Sequence, residues 1–185
     1  MNDFSSSYDY VVAQKPVGKW KWGRIGLITL YCVLPIALLI FIASGIGALL
    51  APMFALAAVG EFVLIFFTWR FVKIEYEYVV TSGHLTFSVI QNAFNHRIRK
   101  EKMKMTLKSA EIIAPKTAEY EGKIAEFDPE IVYYALSSDD APDRYFAIYK
   151  NDNGKRCAFY FEATEKMLKF CRSYNSNTVV TKVSH

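Results

Sequence analysis

The fold is decided by residues 25–71, which read IGLITLYCVLPIALLIFIASGIGALLAPMFALAAVGEFVLIFFTWRF. This block contains one acidic residue, Glu61, and one basic residue, Arg70, near its end. A helix needs roughly 20 consecutive apolar residues to cross the hydrocarbon core of a bilayer. The block is more than twice that length, and it therefore predicts two transmembrane spans.

The block divides near its middle, where four residues that weaken or bend a helix occur: Ser44, Gly45, Gly47 and Pro52. We predict spans at about 25–43 and 53–71, with a turn between them. A cleaved signal peptide is the alternative for the first run, because residues 55–57 (Ala-Leu-Ala) resemble a cleavage site. The apolar part of a signal peptide is only about 7 to 15 residues long, so a helical hairpin is the better interpretation.

Basic residues flank the block on both sides, whereas the predicted turn carries no charge. They are Lys15, Lys19, Lys21 and Arg24 before the first span, and Arg70 and Lys73 after the second. Lys and Arg next to a span favour the cytoplasmic side. We therefore predict a protein of the cell membrane with two spans and with both termini in the cytoplasm.

Tryptophans and arginines border the predicted spans and are typical of membrane-interface anchors: Trp20, Trp22, Trp69, Arg24 and Arg70. Indole rings prefer the headgroup zone, and cations there meet anionic lipid. Residues 1–24 are predicted to be an N-terminal arm that carries this anchor. Alternating apolar residues near its start indicate a short strand or an ordered arm, with a mobile terminus as the alternative.

After residue 71 the pattern changes to a period of two, which is typical of half-buried strands. Seven strands are predicted, at 73–78, 85–90, 97–106, 109–114, 131–136, 145–150 and 156–161. Residues 116–130 are polar without periodicity, and we predict a loop with at most one helical turn. Apolar residues at helical spacing in 164–174 predict an amphipathic helix, with Thr164 as its N-cap.

Several motifs resemble those of an uncharacterised family of bacterial membrane proteins with a two-helix hairpin and a pleckstrin-homology-like (PH-like) domain. They are IEYEY at 74–78, SGHL at 82–85, the basic strand at 97–104, EIIAP at 111–115, and Phe161-Glu162 before a helix. An acidic insert at 119–130 departs from the family pattern.

The resemblance implies an α+β membrane protein. Its parts would be an N-terminal two-helix transmembrane hairpin at 25–71 and a cytoplasmic PH-like domain at 72–185. The domain would be a bent antiparallel sheet of seven strands capped by a C-terminal helix. The family brings no catalytic residues to this chain.

The third predicted strand concentrates positive charge and is the main candidate for a site that contacts anionic lipid or a partner protein: Arg97, Arg99, Lys100, Lys102 and Lys104. Cations beside the cytoplasmic leaflet attract anionic lipid. Strand alternation sends the two arginines to one face and the three lysines to the other, so one pocket cannot use them all. Lysines on an edge strand also prevent aggregation, and a solvated or leaflet-facing strand is the main alternative to a specific headgroup pocket.

Glu61 lies within the second predicted span, where a carboxyl group is costly and suggests function. One hypothesis is a protonated or hydrogen-bonded group at a contact between helices or between copies of the chain. The alternative is a small transporter component or channel subunit. Neither span contains another acidic or basic residue before Arg70, so no relay of charges is apparent.

Other classes of function find little support in the residues. The cysteines Cys32, Cys157 and Cys171 lack CxxC spacing, and we expect structural thiols rather than a metal site. No catalytic motif or cofactor-binding loop is recognisable, and a net charge of +4 does not suggest nucleic-acid binding. We therefore expect a non-enzymatic interaction module, held at the bilayer, that binds a protein partner, its own copies or anionic lipid headgroups.

Overall fold

The structure is a computed structural model that describes residues 7–43, 51–93 and 96–181. Within these residues the chain forms eight strands and four α-helices. In chain order they are β1 (Ser7–Ala13), α1 (Lys19–Ala43), α2 (Ala51–Thr68), β2 (Ile74–Thr81), β3 (His84–Ala93), β4 (His96–Thr106), β5 (Ala110–Pro115), α3 (Ala118–Phe127), β6 (Ile131–Tyr134), β7 (Arg144–Lys150), β8 (Arg156–Glu162) and α4 (Glu165–Tyr174). Lys15–Ile74 and Gln91–Ile98 together form one compact unit, and the remaining described residues form another.

The first sheet has the strand order β1-β2-β3-β4, and β1 pairs with β2 in antiparallel register. The pairing runs from Ser7 opposite Thr81 to Ala13 opposite Glu75. The N-terminal segment is therefore a strand, the first of the alternatives that its pattern allowed. Both helices of the apolar block are therefore inserted in the chain between two neighbouring strands of one sheet. The domain boundary predicted at residue 72 lies between β1 and β2, which pair with each other.

Contacts with α4 hold β1 in place. The hydroxyl of Tyr8 lies 2.8 Å from Oγ1 of Thr164, and its ring stacks on Phe170 with 5.9 Å between the centroids. The ammonium of Lys166 lies 5.4 Å from the centroid of the same tyrosine ring, within the range of a cation–π contact.

The second sheet has the order β5-β7-β8-β6, which corrects the prediction of one antiparallel sheet of seven strands. β5 and β7, and β7 and β8, are antiparallel, but β6 runs parallel to β8, from Ile131 opposite Cys157 to Tyr134 opposite Tyr160. Period-two alternation shows which residues face the core but carries no information about the partner or direction of a strand. The eighth strand is β1, which was not among the seven.

A two-residue turn, Ser82-Gly83, joins β2 to β3. Ser82 and Gly83 both have positive φ, at 50° and 79°, as in the type I′ turns that match the twist of a hairpin. A Cβ atom on Gly83 would lie 3.2 Å from the ring of Tyr174 in α4. The turn therefore requires glycine for its backbone conformation and for the close approach of the helix.

The main core lies between the sheets and is rich in aromatic rings. Tyr78, Phe87, Phe159 and Phe161 are buried there, with ring centroids between 5.0 and 6.3 Å apart in each contacting pair. The amphipathic helix α4 closes this core with three buried side chains, those of Met167, Leu168 and Cys171. Its predicted N-cap is confirmed, because Oγ1 of Thr164 accepts a hydrogen bond of 3.2 Å from the Met167 amide.

Helix α3 replaces the loop predicted at 116–130. Its only buried residue is Ile124, which packs in a second, smaller core with Tyr120 and Phe127 beside it. These three positions follow the i, i+4, i+7 spacing of one helical face. The prediction of a loop was wrong because charged residues surround this short apolar stripe and obscure its period.

The apolar block forms α1 and α2. The turn predicted between 44 and 52 lies outside the described residues up to residue 50, and Ala51 and Pro52 already belong to α2. α1 begins at Lys19, six residues before the predicted span, so Trp20, Trp22 and Arg24 lie within the helix. Lys19–Phe41 is long and apolar enough to cross a membrane, whereas Ala55–Thr68 of α2 is a shorter apolar helix. Pro35 lies inside α1, and a short 3-10 helix at Trp69–Phe71 follows α2.

Candidate functional site

The basic strand β4 lies at the edge of the first sheet, where one side of its backbone has no neighbouring strand among the described residues. The side chains of Lys100, Lys102 and Lys104 are exposed, while Met103 and Met105 between and beyond them are buried in the main core. Burial of the methionines fixes the direction of alternation. Lys102 and Lys104 therefore point away from the core. Lys100, two residues before Lys102, lies on the same face of the strand.

Arg99 of the predicted site is engaged within the sheet rather than with these lysines. Nε of Arg99 lies 2.5 Å from Oε2 of Glu77 and 3.3 Å from Oγ of Ser88, which is fully buried. The guanidinium charge is thus partly offset by the carboxylate on β2. Arg97 is exposed, but it belongs to the other compact unit of the chain.

Lys100, Lys102 and Lys104 remain as the concentrated charge of the strand. None of them forms an ion pair with another residue in the part of the chain that the structure describes. Residues two apart on a strand repeat every 6.5 to 7 Å. The row of ammonium groups can therefore meet several separate anionic groups, as on a lipid surface or an acidic protein surface, rather than enclose one small ligand.

The two helices of the apolar block contact each other through polar side chains. The hydroxyl of Tyr31 in α1 lies 2.5 Å from Oγ1 of Thr68 in α2, and this threonine donates a bond of 2.6 Å to the Leu64 carbonyl. The ring of Tyr31 also lies 6.3 Å from that of Trp69, centroid to centroid. Sequence reasoning missed this contact, although hydroxyl groups are common between membrane helices.

The anchor residues and Glu61 are placed as follows. Trp20, Trp22 and Trp69 are exposed, with Trp22 the most exposed at 73%. Arg24 and Glu61 are partly buried, and the side chain of Arg70 lies outside the described residues. No group of three His, Cys, Asp or Glu side chains that could hold a metal ion is found in the described ranges.

The sequence model of the bacterial PH-like domain (DUF6106) matches residues 7–181 of the chain. The chain therefore belongs to this family. The matched residues include β1, both inserted helices and the tail after α4, so the PH-like match is not confined to the region after the apolar block. Neither the curated proteins nor the solved structures contain a match to the chain.

The PH-like domain contains a buried polar cluster at the end of β8. A carboxylate oxygen of Glu162, which is 8% exposed, accepts a hydrogen bond from the Ser137 amide. The hydroxyl of Tyr78 donates to the Ala135 carbonyl in the same segment. Burial first, and the nearby Glu162 second, raise the pKa of Tyr78 far above its ordinary value. Together these bonds hold the segment after β6 against the core.

A cleft of about 510 Å³ lies in the PH-like domain beside α4. Asp143, just before β7, and Tyr145 in β7 line one side of the cleft, and Lys169 and Arg172 line it from the helix. Thr181 of the C-terminal tail lines it as well. Sequence reasoning did not find this cleft, because its walls come from segments far apart in the chain.

Proposed function

We propose that this PH-like chain is a membrane-anchored, non-enzymatic interaction module on the cytoplasmic face of the cell membrane. The hairpin of α1 and α2 anchors it, and the sheets carry the binding surfaces. Its partner is an anionic lipid headgroup or an acidic protein surface, met by the lysines of β4. The family supports an interaction module in general, and the following observations support the anchor and the surface.

The pairing of β1 with β2 is the observation that carries the proposed topology. Ala13 lies opposite Glu75, and residues paired across antiparallel strands have Cα atoms only about 4.5 to 5.5 Å apart. The two ends of the inserted segment therefore emerge side by side from one sheet. A folded sheet cannot lie on both sides of a bilayer, so the segment crosses it an even number of times.

The lengths of the helices support two crossings rather than none. At 1.5 Å per residue, the 25 residues of α1 extend about 37 Å and the 18 residues of α2 about 27 Å, against a hydrocarbon core of about 30 Å. The large apolar side chains of α1 are exposed, including Val33, Ile36 and Leu39. Such a surface is unfavourable in water and favourable in lipid, so α1 crosses outward and α2 returns.

Charge supports the cytoplasmic orientation. Lys15, Lys19, Lys21 and Arg24 lie at the end of the segment that adjoins β1, and positive residues next to a span are retained in the cytoplasm. The lysines of β4 then lie in the same compartment as the anionic leaflet. There each cation near the surface contributes about 1 kcal/mol of attraction.

Thiol labelling tests the topology. Cysteine is introduced at two exposed positions, as Asp9→Cys in β1 and Asp152→Cys in the turn before β8, in a background with Cys32→Ser. Cys157 and Cys171 are buried, so they react only after unfolding and serve as internal controls. A membrane-impermeant maleimide is expected to label both introduced thiols in inverted vesicles and neither in intact spheroplasts.

Other experimental outcomes would each contradict one part of the proposal. Labelling of the two positions from opposite sides would contradict an even number of crossings. Labelling of both in intact spheroplasts would contradict the cytoplasmic orientation. Release of the chain from membranes by alkaline carbonate would contradict the anchor itself.

A further inference from the structure

The chain after α4 folds back and closes the free edge of β5. The amide of Ile113 donates to the carbonyl of Thr178, and the carbonyl of Ile113 accepts from the amide of Val180, both at 2.8 Å. Val179 thereby forms a parallel bridge of one residue with Ile113. The other edge of β5 is occupied by β7 from Ala110 to Pro115.

The tail places one apolar side chain on each side of the strand. Val179 is 4% exposed and packs in the main core, while Val180 packs against the smaller core. Asn175 holds the start of the tail, because its Nδ2 lies 3.0 Å from the Leu107 carbonyl and 3.4 Å from that of Ala110. The edge of β5 thus binds an extended segment through backbone hydrogen bonds and through two adjacent apolar side chains of that segment.

The tail is attached to β5 far less extensively than β7 is. β7 pairs with β5 from Ala110 to Pro115, whereas the described part of the tail, 175–181, forms backbone bonds to β5 at Ile113 alone. Segments held by few contacts open locally much more often than the whole domain unfolds. Opening would expose an unpaired strand edge, which is a template for another extended chain.

We propose that residues 175–181 are a displaceable strand and that the β5 edge beneath them binds an extended segment of a partner protein. The segment runs parallel to β5 and carries two adjacent β-branched residues in place of Val179 and Val180. Residues that follow this pair reach the cleft beside α4, which Thr181 lines. This inference rests on the proposed function only in that the chain is an interaction module, and it does not involve β4.

Amide hydrogen exchange on the full-length protein in detergent gives the first test. The amides of Ile113 and Val180 depend on the docked tail, whereas Ala147 lies in β7 between two paired strands. We expect the first two to exchange at least about tenfold faster than Ala147, because local opening requires less free energy than global unfolding. Equal rates would show that the tail is an integral strand and would overturn the proposal.

Peptide binding gives the second test. The probe is a fluorescent peptide, NSNTVVT, with the sequence of residues 175–181, and its control has serine in place of both valines. Val180→Pro in the full-length chain removes the amide that bonds to Ile113, whereas Thr181→Pro, one residue further on, leaves both bonds intact. Partial release of the tail raises the fraction of competent protein and lowers the apparent Kd in proportion.

We expect the Val180→Pro chain to bind the probe about tenfold more tightly than the wild type and the Thr181→Pro chain to resemble the wild type. The serine peptide should not bind. Equal affinity of all three chains, or no binding of the probe, would overturn the proposal. Should Val180→Pro fail to fold, the exchange rates of the wild type still decide the question. Labelling topology and the binding properties of β4 remain unchanged in either case, so failure here is distinct from failure of the proposed function.

Discussion

Nε of Arg99 lies 2.5 Å from a carboxylate oxygen of Glu77, so one cation of the basic strand is engaged within the sheet. The neighbouring side chains of Lys100 and Lys102 are exposed and lie outside this ion pair. Positive charge on β4 is therefore divided between a group that braces the sheet and groups that face outward. The division predicts unequal effects when these residues are replaced.

Replacing Lys102 by glutamine should weaken binding of the nanodisc-embedded protein to vesicles rich in phosphatidylserine by about fivefold, since each cation near a leaflet contributes about 1 kcal/mol. Arg99→Gln should have a smaller effect, because Glu77 already offsets its charge. Lys123→Gln makes the same charge change on α3, where the side chain is also exposed, and should have no effect. Vesicle flotation at low and high salt measures this, and equal losses in Lys102→Gln and Lys123→Gln would argue against a surface on β4.

The bond between Tyr31 and Thr68 should stabilise the helical hairpin. Tyr31→Phe removes the hydroxyl but keeps the ring beside Trp69, and it should lower the free energy of unfolding in mixed detergent by about 0.6 kcal/mol. Thr29→Val removes an exposed hydroxyl from the same helix and is the matched control. If both variants unfold at the same detergent fraction as the wild type, the contact contributes nothing to the stability of the hairpin.

The buried carboxylate of Glu162 should stabilise the PH-like domain through the Ser137 amide. Glu162→Ala leaves this amide without an acceptor, at a cost of about 1 to 3 kcal/mol. Glu162→Gln retains a carbonyl oxygen and should lose less. Urea unfolding followed by far-UV circular dichroism measures the difference in stability. Similar losses of stability in both variants would indicate that the bond is unimportant.

Stability should fall in alkali because burial raises the pKa of Cys171 from 9.0 to about 12. Below pH 9 the thiol is protonated in both states, and its contribution to stability is complete. Between pH 9 and 12 the unfolded thiol ionises while the folded thiol keeps its proton, so the free energy of unfolding decreases as the pH rises. Burial also raises the pKa of Tyr78 and of Tyr149, and these groups add to the loss above pH 10.

Cys171→Ala should flatten this dependence between pH 9 and 10, whatever its effect on stability at neutral pH. Unfolding curves of the wild type and the variant at a series of pH values provide the comparison. Parallel curves would mean that Cys171 does not titrate with unfolding. The same buried thiol should resist maleimide in the folded protein.

Local sequence pattern predicted the bounds of several elements to within one residue. β4 was predicted at 97–106 and is found at His96–Thr106, and β7 was predicted at 145–150 and is found at Arg144–Lys150. The helix at 164–174 and its threonine cap were also predicted correctly. In each case the residues that predict the element are contained in a single short segment.

Features that depend on distant residues could not be predicted in this way. The partner of β1 lies beyond two helices, and the parallel direction of β6 depends on which strand it joins. Alternation predicted that the three β4 lysines share one face of the strand, but not which face points outward. The pairing of Arg99 with Glu77 was not predicted, because it requires the order of β2, β3 and β4 in the sheet.

The insertion of α1 and α2 between β1 and β2 also determines the order in which the domain can be assembled. β1 leaves the ribosome first, but its partner follows only after the helices, and at 5 to 20 residues per second the interval is roughly 3 to 12 s. Under the proposed topology the helices enter the bilayer during this time, while Ala13 has no strand beside it. The first sheet would then be completed only after Glu75 returns to the same side, so closure of the domain would report that membrane insertion has succeeded.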